Sequence, residues 1–369
     1  MGLIRVLAHL AVNSTRVLIV EAPGHWLTRV ELEQQMALRG WRAAWTPANA
    51  DVLAVCGVPG PELAELAERL WEQMPGPRAR VDVASPAVVG SALEDAATLL
   101  LDTPYHRADA GERAQEPRIP KDHEGMDHEG MDHGGHGGHG GMDMAPAGIA
   151  LAQGGQDRDG LEMDVLHLPL GPVLPFWPAG LVLRCSLQGD VVVDAVASAV
   201  DGAGHAASSK EPQTPPVPAS AVRCDGVMAL LALAGADDAA ARARRARDAL
   251  VRGDQGAARD AVERLHRTIR RSWLLRWSLR GVLVLDQSDL ARHDLPEVCR
   301  GDAHDRLSSM VERLRSEVCG AVPVPEETGA VPWETVPQLV VGLELATVRL
   351  AVASLNLEPV STVQETRHA

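Results

Sequence analysis

The fold of the first hundred residues is decided by the stretch Asp51-Val-Leu-Ala-Val-Cys-Gly-Val-Pro-Gly60 and by residues 61–74, which follow it. The run of branched apolar residues before the glycine predicts a buried strand, and the apolar residues at helical spacing after it predict a helix. Two similar runs, residues 16–21 and 80–84, predict further strands that are each followed by a helical pattern. Strands alternating with helices imply parallel pairing. We therefore expect a small α/β sandwich with a parallel sheet over residues 1–106.

The chain of 369 residues is longer than one hydrophobic core usually serves. Residues 107–160 are rich in Gly, Asp, His and Pro, which predicts a disordered linker. Residues 161–369 form a second folded region, in which period-two alternation on both sides of the proline-rich loop at 171–178 predicts a β-hairpin. Heptad-like apolar spacing from Met228 onward predicts an α-helical bundle. A flexible Pro-rich insert is expected near 202–218.

Composition and charge restrict the classes of function. The formal net charge of -15 argues against a nucleic-acid surface, because neutralising phosphates needs a basic face. No stretch reaches the roughly 18 consecutive apolar residues of a spanning helix, so we expect no transmembrane segment of its own. Arg5 and His9 interrupt the apolar N-terminus, which is a poor signal peptide. The five cysteines contain no closely spaced pair, as in proteins of a reducing compartment, and the expected location is cytoplasmic.

The linker contains a tract of side chains that bind metal ions, from Asp122 to Met144. Histidines recur with a period of five and then three, and the intervening glycines let the backbone fold around an ion. Imidazoles suit nickel, copper and zinc, and thioethers add a preference for reduced copper. A flexible spacer without a metal is the other interpretation. The candidate ligands are His123, His128, His133, His136, His139, Asp122, Asp127, Asp132, Met126 and Met131.

Two segments carry the order of elements found in a known family. Residues 50–85 contain a strand ending in Gly57, a helix that runs to Gln73-Met74-Pro75, and a further strand. This segment resembles the cluster-carrying 20 kDa subunit of respiratory complex I and the nickel–iron hydrogenases. Residues 166–192, with a Gly-Pro loop, a strand ending in Gly189-Asp190 and a valine-rich strand, resemble the opening of the 49 kDa, hydrogenase large-type subunit. The resemblance implies a flavodoxin-like sandwich fused to a β-hairpin and a helical bundle.

The chain departs from that family at the positions of the redox centres. Residues 22–26 stand where the 20 kDa subunit has an adjacent cysteine pair, and Ser85 stands where it has a later cysteine. Because thiolates hold such a cluster, we expect no iron–sulfur cluster here. In the 49 kDa-like loop, Val173-Leu-Pro175 replaces the segment whose histidine contacts quinone, and the paired C-x-x-C motifs that hold nickel in hydrogenases are missing.

These departures predict a degenerate subunit that is not catalytic by itself. The expected role is structural, in a complex I-like or membrane-bound hydrogenase-like assembly that translocates protons or other ions. Its partners would be membrane antiporter-like subunits, and its position would be peripheral on the inner face of the cell membrane. One alternative is an active NADH:quinone oxidoreductase-type electron-transfer subunit with an iron–sulfur cluster. Another is a nickel or copper buffer that acts through the histidine tract.

The helical segment 256–280 combines two tryptophans with many arginines. Its pattern predicts that Trp273 and Trp277 pack into the bundle core and that the arginines form a solvated face. Docking on anionic lipid head groups or on an acidic subunit is the alternative. The arginines are Arg259, Arg264, Arg267, Arg270, Arg271, Arg276 and Arg280.

Overall fold

The computed structural model describes residues 12–115, 153–156, 162–201, 217–320 and 331–357. All ten candidate metal ligands of the histidine tract lie outside the described residues, as does most of the expected insert near 202–218. Within the described part the chain is mixed α/β, with one parallel sheet, one antiparallel sheet and a set of helices.

The first sheet is parallel, as expected, and has the strand order β2-β1-β3-β4. Successive side chains of β1 and β3 point to opposite faces, and helices cover both of them. The first and third helices contribute Leu32, Met36 and Leu93 to one face, and the second helix contributes Leu63 and Ala67 to the other. The elements are β1 (Arg16–Glu21), α1 (Trp26–Arg39), β2 (Arg42–Ala43), β3 (Val52–Cys56), α2 (Pro61–Gln73), β4 (Ala79–Val83), α3 (Val89–Leu100) and α4 (Thr103–Gln115).

Two details of this half differ from the sequence-based expectation. Leu38 belongs to the predicted apolar stripe of α1, but it is 80% exposed because the helix turns it away from the sheet in its last turn. Helix α4 extends to Gln115, so ordered structure continues nine residues into the predicted linker (107 to 115). In α4, Asp109 accepts a hydrogen bond from the buried Arg78 at 3.0 Å, which fastens the helix to the rest of this half. We call residues 12–115, with the parallel sheet, the sheet half.

The second sheet is antiparallel and has four strands rather than the two of the predicted hairpin. The alternating run that follows the proline-rich loop is divided by the turn at Gly189-Asp190, where Gly189 has a φ of 62°. The turn lets the chain reverse, so this run forms two strands. The fourth strand, residues 153–156, lies within the predicted linker and pairs with the strand that precedes the proline-rich loop. The strands are β5 (Gln153–Gln156), β6 (Glu162–Leu170), β7 (Leu181–Gln188) and β8 (Val191–Ala199).

Eight helices follow in the described part of the chain, where the sequence predicts a helical bundle, and breaks separate some of them. The breaks fall at Gly235, with a φ of 72°, at Ser272, and at Gly342, with a φ of 87°. The core of the bundle is formed by apolar side chains such as Leu231, Leu265 and Leu314. The helices are α5 (Ala219–Leu233), α6 (Asp237–Val251), α7 (Gln255–Arg271), α8 (Trp273–Leu279), α9 (Gln287–His293), α10 (Ala303–Cys319), α11 (Val336–Val340) and α12 (Leu345–Leu355).

Arg306 holds the loop between α8 and α10 in place. Its guanidinium is buried and donates to the carbonyl oxygens of Gly301 at 2.7 Å and Leu283 at 2.9 Å, and to the Ser354 hydroxyl at 3.0 Å. Burial lowers the pKa of Arg306 to about 10. The hydrogen bonds from Arg306 satisfy backbone carbonyl oxygens that the apolar core would otherwise leave unpaired.

Candidate functional site

The candidate site lies at the carboxyl edge of the parallel sheet. The strand ends meet there, because Glu21 pairs in register with Cys56 and Cys56 with Val83. In open α/β sheets this edge is where ligands bind. Helix α1 begins directly after β1, so Trp26 and Arg29 also lie at this edge. We call the described residues from 153 onward, with the antiparallel sheet and the helices that follow, the helical half. Its helices α5 and α6 contribute charged side chains to the same edge of the parallel sheet.

Arg29 donates to three carboxylates, one of which belongs to the helical half. Its Nε donates to Glu21 Oε2 at 2.5 Å, and its Nη1 donates to Glu33 Oε1 at 2.6 Å, one turn further along α1. Its Nη2 donates to Asp225 Oδ2 on α5 at 2.5 Å. The indole nitrogen of Trp26 donates to the same Asp225 oxygen at 2.9 Å. An arginine of the sheet half is thus anchored to an aspartate of the helical half.

Arg247 makes the reciprocal connection from α6. Its side chain is 0% exposed, and its Nη1 donates to Glu33 Oε2 and to Asp225 Oδ1, both at 2.6 Å. Its Nη2 donates to Asp248 Oδ1 at 2.8 Å. Glu33 and Asp225 therefore each bridge both guanidinium groups. We call this set the interface network, which comprises Glu21, Trp26, Arg29, Glu33, Asp225, Arg247 and Asp248.

The interface network holds two guanidinium groups against four carboxylates, a formal charge of -2. Burial alone would raise the pKa of the Asp225 carboxyl, but attraction to Arg29 and Arg247 outweighs burial and lowers that pKa to about 2. The pKa of Glu33 is lowered for the same reason. At Glu21 burial prevails over Arg29 and raises the pKa. Burial likewise raises the pKa of Asp248. The network therefore favours ionised carboxylates at its centre and two more easily protonated ones at its edge.

A second joint between the halves lies at the start of α2. The Glu62 backbone N–H donates to Asp201 Oδ1 at 2.6 Å, and the Asp201 N–H donates to Glu62 Oε2 at 3.1 Å. A Cβ at Gly60 would lie 2.3 Å from Asp201 Cγ, so a side chain there would displace the Asp201 carboxylate. Val200 packs into the core on the same side of the sheet. The halves are therefore fastened at two separate places.

The positions where the resemblance implies cluster ligands are taken up by packing contacts. Gly57 has a φ of +93°, and a Cβ there would lie 2.1 Å from the His25 ring, so His25 packs directly against the turn after β3. Ser85 precedes the short 3-10 helix Pro86–Val88. Cys56 is fully buried in β3, and burial raises the pKa of its thiol.

The five cysteines lie in different parts of the protein. Burial raises the pKa of the Cys185 and Cys299 thiols to about 11 and that of Cys224 to about 12. Neutral thiols are poor metal ligands, because the thiolate is the form that binds. Cys56 lies in the parallel-sheet core, Cys185 between the antiparallel sheet and α11–α12, Cys224 in the bundle core, Cys299 in the loop core, and Cys319 at the end of α10.

Within the described ranges, one group of three side chains has atoms close enough to share a metal ion, namely Asp302, His304 and Asp305. Asp302 Oδ1 accepts from the backbone N–H groups of His304 at 2.9 Å and Asp305 at 3.0 Å. Asp302 and Asp305 together form a capping box at the start of α10. Their carboxylates therefore have a structural role in starting this helix.

The proline-rich loop that stands in place of the quinone-contacting segment is held by local contacts. Trp177 is buried, and its indole N–H donates to the Leu181 carbonyl at 2.8 Å. Arg349 Nη2 donates to the Pro175 carbonyl at 2.5 Å. The indole N–H of Trp177 is therefore already used inside the protein.

The prediction that Trp273 and Trp277 pack into the core is wrong, since they are 76% and 73% exposed. The break at Ser272 starts a new helix, in which Leu275 and Leu279 face the core instead. Among the described helices, none is long and apolar enough to cross a membrane. No family model matches the chain, and no curated protein or solved structure matches it significantly.

Proposed function

We propose that this chain is a structural, non-catalytic peripheral subunit of a complex I-like or membrane-bound hydrogenase-like assembly that translocates ions. In this role it binds membrane antiporter-like subunits at the inner face of the cell membrane and contributes docking surface rather than an electron path. The parallel sheet has the strand order 2-1-3-4, which agrees with the first four strands of the flavodoxin-like order, and this supports the proposal. The region that follows has an antiparallel sheet of four strands, where the resemblance implies a β-hairpin, and then helices.

The separation of the cysteines carries this proposal. A four-iron cluster is held by thiolates that converge on one point, whereas the five cysteines here belong to separate cores or helix ends. The alternative of an active electron-transfer subunit would need most of its ligands from another chain. The resemblance to a redox family therefore concerns the scaffold.

The interface network supports the same role. The carboxyl edge of the sheet, where an α/β protein usually binds its ligand, is filled by ion pairs between the two halves. Removing one partner of a buried ion pair is strongly destabilising, so the pairs keep the halves in one relative position. A scaffold that presents two units to one partner benefits from such a fixed joint.

A second candidate function rests on the histidine tract. The regular spacing of His123, His128 and His133, followed by two more histidines at intervals of three, favours reversible binding of nickel, copper or zinc. Such binding is compatible with the structural role, because the tract joins the two folded regions without belonging to either predicted core.

Purification from native membranes tests the structural role. The full chain, tagged at one end, is extracted in mild detergent from the organism that produces it, and the associated chains are identified by mass spectrometry. We expect antiporter-like membrane subunits in fixed stoichiometry. Recovery of the chain alone, from an extract in which other membrane complexes stay intact, would contradict the proposed role.

A further inference from the structure

Helix α8 presents an exposed surface of tryptophan, leucine and arginine. Trp273, Leu274 and Trp277 are 76%, 56% and 73% exposed. On the opposite side of the helix, Leu275 and Leu279 are 4% and 0% exposed and pack into the bundle core. We call this feature the Trp–Arg surface, which comprises Arg264, Arg267, Arg270, Arg271, Trp273, Leu274, Arg276, Trp277 and Arg280.

The spacing in α8 places aromatic and basic side chains together. Trp273, Arg276 and Trp277 stand at positions i, i+3 and i+4, which share one face of a helix, and Arg280 follows as the C-cap residue. The N-cap side chain of Ser272 accepts a hydrogen bond from the Leu275 backbone N–H at 3.2 Å, which fixes where the helix starts. The exposed face is therefore a consequence of a well-defined helix start.

Charge is segregated strongly at this surface. Residues 264–285 contain six arginines and no acidic residue, although the whole chain has a net charge of -15. On one side, Arg242 of α6 and Thr268 join Arg264, Arg267 and Arg271 around a shallow cleft. The local charge is thus opposite to that of the protein as a whole.

On the other side, acidic groups partly offset the arginines. Arg276 and Arg280 share a shallow cleft with Asp302, His304 and Asp305. Since the two carboxylates form the capping box of α10, they remain in place at the foot of this cleft. The arginines of α7, among which Arg264 pairs with Asp260 at 3.9 Å, therefore carry the larger share of the positive potential.

We propose that the Trp–Arg surface docks on a bilayer containing anionic phospholipid. Indole rings favour the interface between head groups and acyl chains, and arginine stems can lie along apolar surface while their guanidinium groups bind phosphate. A membrane supplies a negative surface and apolar depth together, so it complements tryptophans that project among cations. This inference goes beyond the proposed function, because it requires no protein partner.

Vesicle flotation with the purified full chain tests the inference. We expect the protein to float with vesicles of phosphatidylcholine containing one-third phosphatidylglycerol and to remain behind with pure phosphatidylcholine. Binding should weaken as salt is added. The double variant Arg270→Gln/Arg271→Gln should lower the partition coefficient about 25-fold, from about fivefold for each arginine. Trp273→Ala/Trp277→Ala should lower it at least about tenfold.

Matched substitutions elsewhere serve as controls. Trp45→Ala removes another exposed tryptophan, and Arg69→Gln/Arg107→Gln makes the same change in charge on the sheet half. Both controls should float like the unmodified chain. The inference is wrong if the unmodified chain does not float, or if the surface variants float equally well. Association with native membranes but not with protein-free anionic vesicles would also overturn it, since the surface would then bind an acidic protein.

The outcome is separable from that of the proposed function. The vesicles contain no protein, so flotation does not depend on an antiporter-like partner. Since the substituted side chains are exposed, the variants should retain the thermal unfolding midpoint of the unmodified chain, and circular dichroism checks this.

Discussion

The Arg247 guanidinium donates to the Glu33 carboxylate at 2.6 Å, although the two residues are 214 positions apart in the chain. Arg247 belongs to the helical half and Glu33 to the first helix of the sheet half. Both guanidinium groups of the interface network share Glu33 and Asp225 as acceptors. The contact is therefore the centre of the joint that holds the two halves together.

Replacing Arg247 with Met should destabilise the protein by about 3–5 kcal/mol, because buried carboxylates lose their cation while the apolar stem stays in place. The measurement is equilibrium unfolding in urea. Arg245→Met serves as the control, since Arg245 lies on the same helix but is exposed, and it should change stability by less than about 0.5 kcal/mol. Equal losses in the two variants would show that the network contributes little.

Stability should fall as the pH drops from about 4 to about 2. The folded protein lowers the pKa of Asp225 to about 2, so this carboxylate stabilises the fold above its ordinary pKa near 3.8 and loses that contribution as it is protonated. Glu33 acts in the same direction. Glu21 and Asp248, whose pKa values are raised, act in the opposite sense, because protonation relieves the cost of their burial.

Asp225→Asn isolates this contribution. The variant should be less stable at neutral pH and should show a flatter decline below pH 4 in urea unfolding measured across that range. Asp164→Asn, at an exposed position on β6, should keep the slope of the unmodified protein. An unchanged slope for Asp225→Asn would assign the acid sensitivity to other carboxylates.

One thiol in five should react rapidly with Ellman's reagent in the native protein at pH 8. Burial raises the pKa of all five thiols, and at Cys319 the Glu263 carboxylate adds to this effect, but Cys319 is partly exposed whereas Cys56, Cys185, Cys224 and Cys299 are buried. The other four should react after unfolding in guanidinium chloride. Cys319→Ser should remove the rapid phase. A rapid phase of two or more thiols would contradict the burial of the other four cysteines.

Deletion of residues 122–144 should abolish binding of nickel or copper measured by isothermal titration calorimetry. Replacing the five histidines of the tract with alanine should have the same effect, because imidazoles are the expected ligands. His304→Ala should leave binding unchanged, since the Asp302 and Asp305 carboxylates at that helix start serve as caps. Binding that survives the deletion but is lost in His304→Ala would place the metal at α10.

The parallel sheet could be predicted because its signals are local. β1 spans Arg16–Glu21, as expected, and β3 and β4 begin within one residue of the predicted positions. A short run of branched apolar residues bounded by a turn signal predicts a buried strand by itself, so no information about distant contacts is needed to identify it. Breaks inside helices carry weaker signals, which is why α7 and α8 were expected to be one segment.

The interface network could not be predicted in the same way. Arg29 and Asp225 are 196 positions apart, and local periodicity contains no information about such pairs. One signal was present, since Asp225 is the sole acidic residue in the largely apolar α5, whose only other charged residue is Arg223. A lone acid in such a helix needs a partner, although the sequence does not name it. The helical pattern places the tryptophans of α8 on the wrong side, because the break at Ser272 changes which side of the helix faces the core.

The most direct test of the central claim is the iron and acid-labile sulfide content of the full chain, purified without oxygen and examined by electron paramagnetic resonance after reduction. A structural subunit whose cysteines lie in separate cores should contain far less than one cluster per chain and give no cluster signal. Stoichiometric iron and sulfide with a reducible cluster signal would contradict the structural role and favour the alternative of an active electron-transfer subunit.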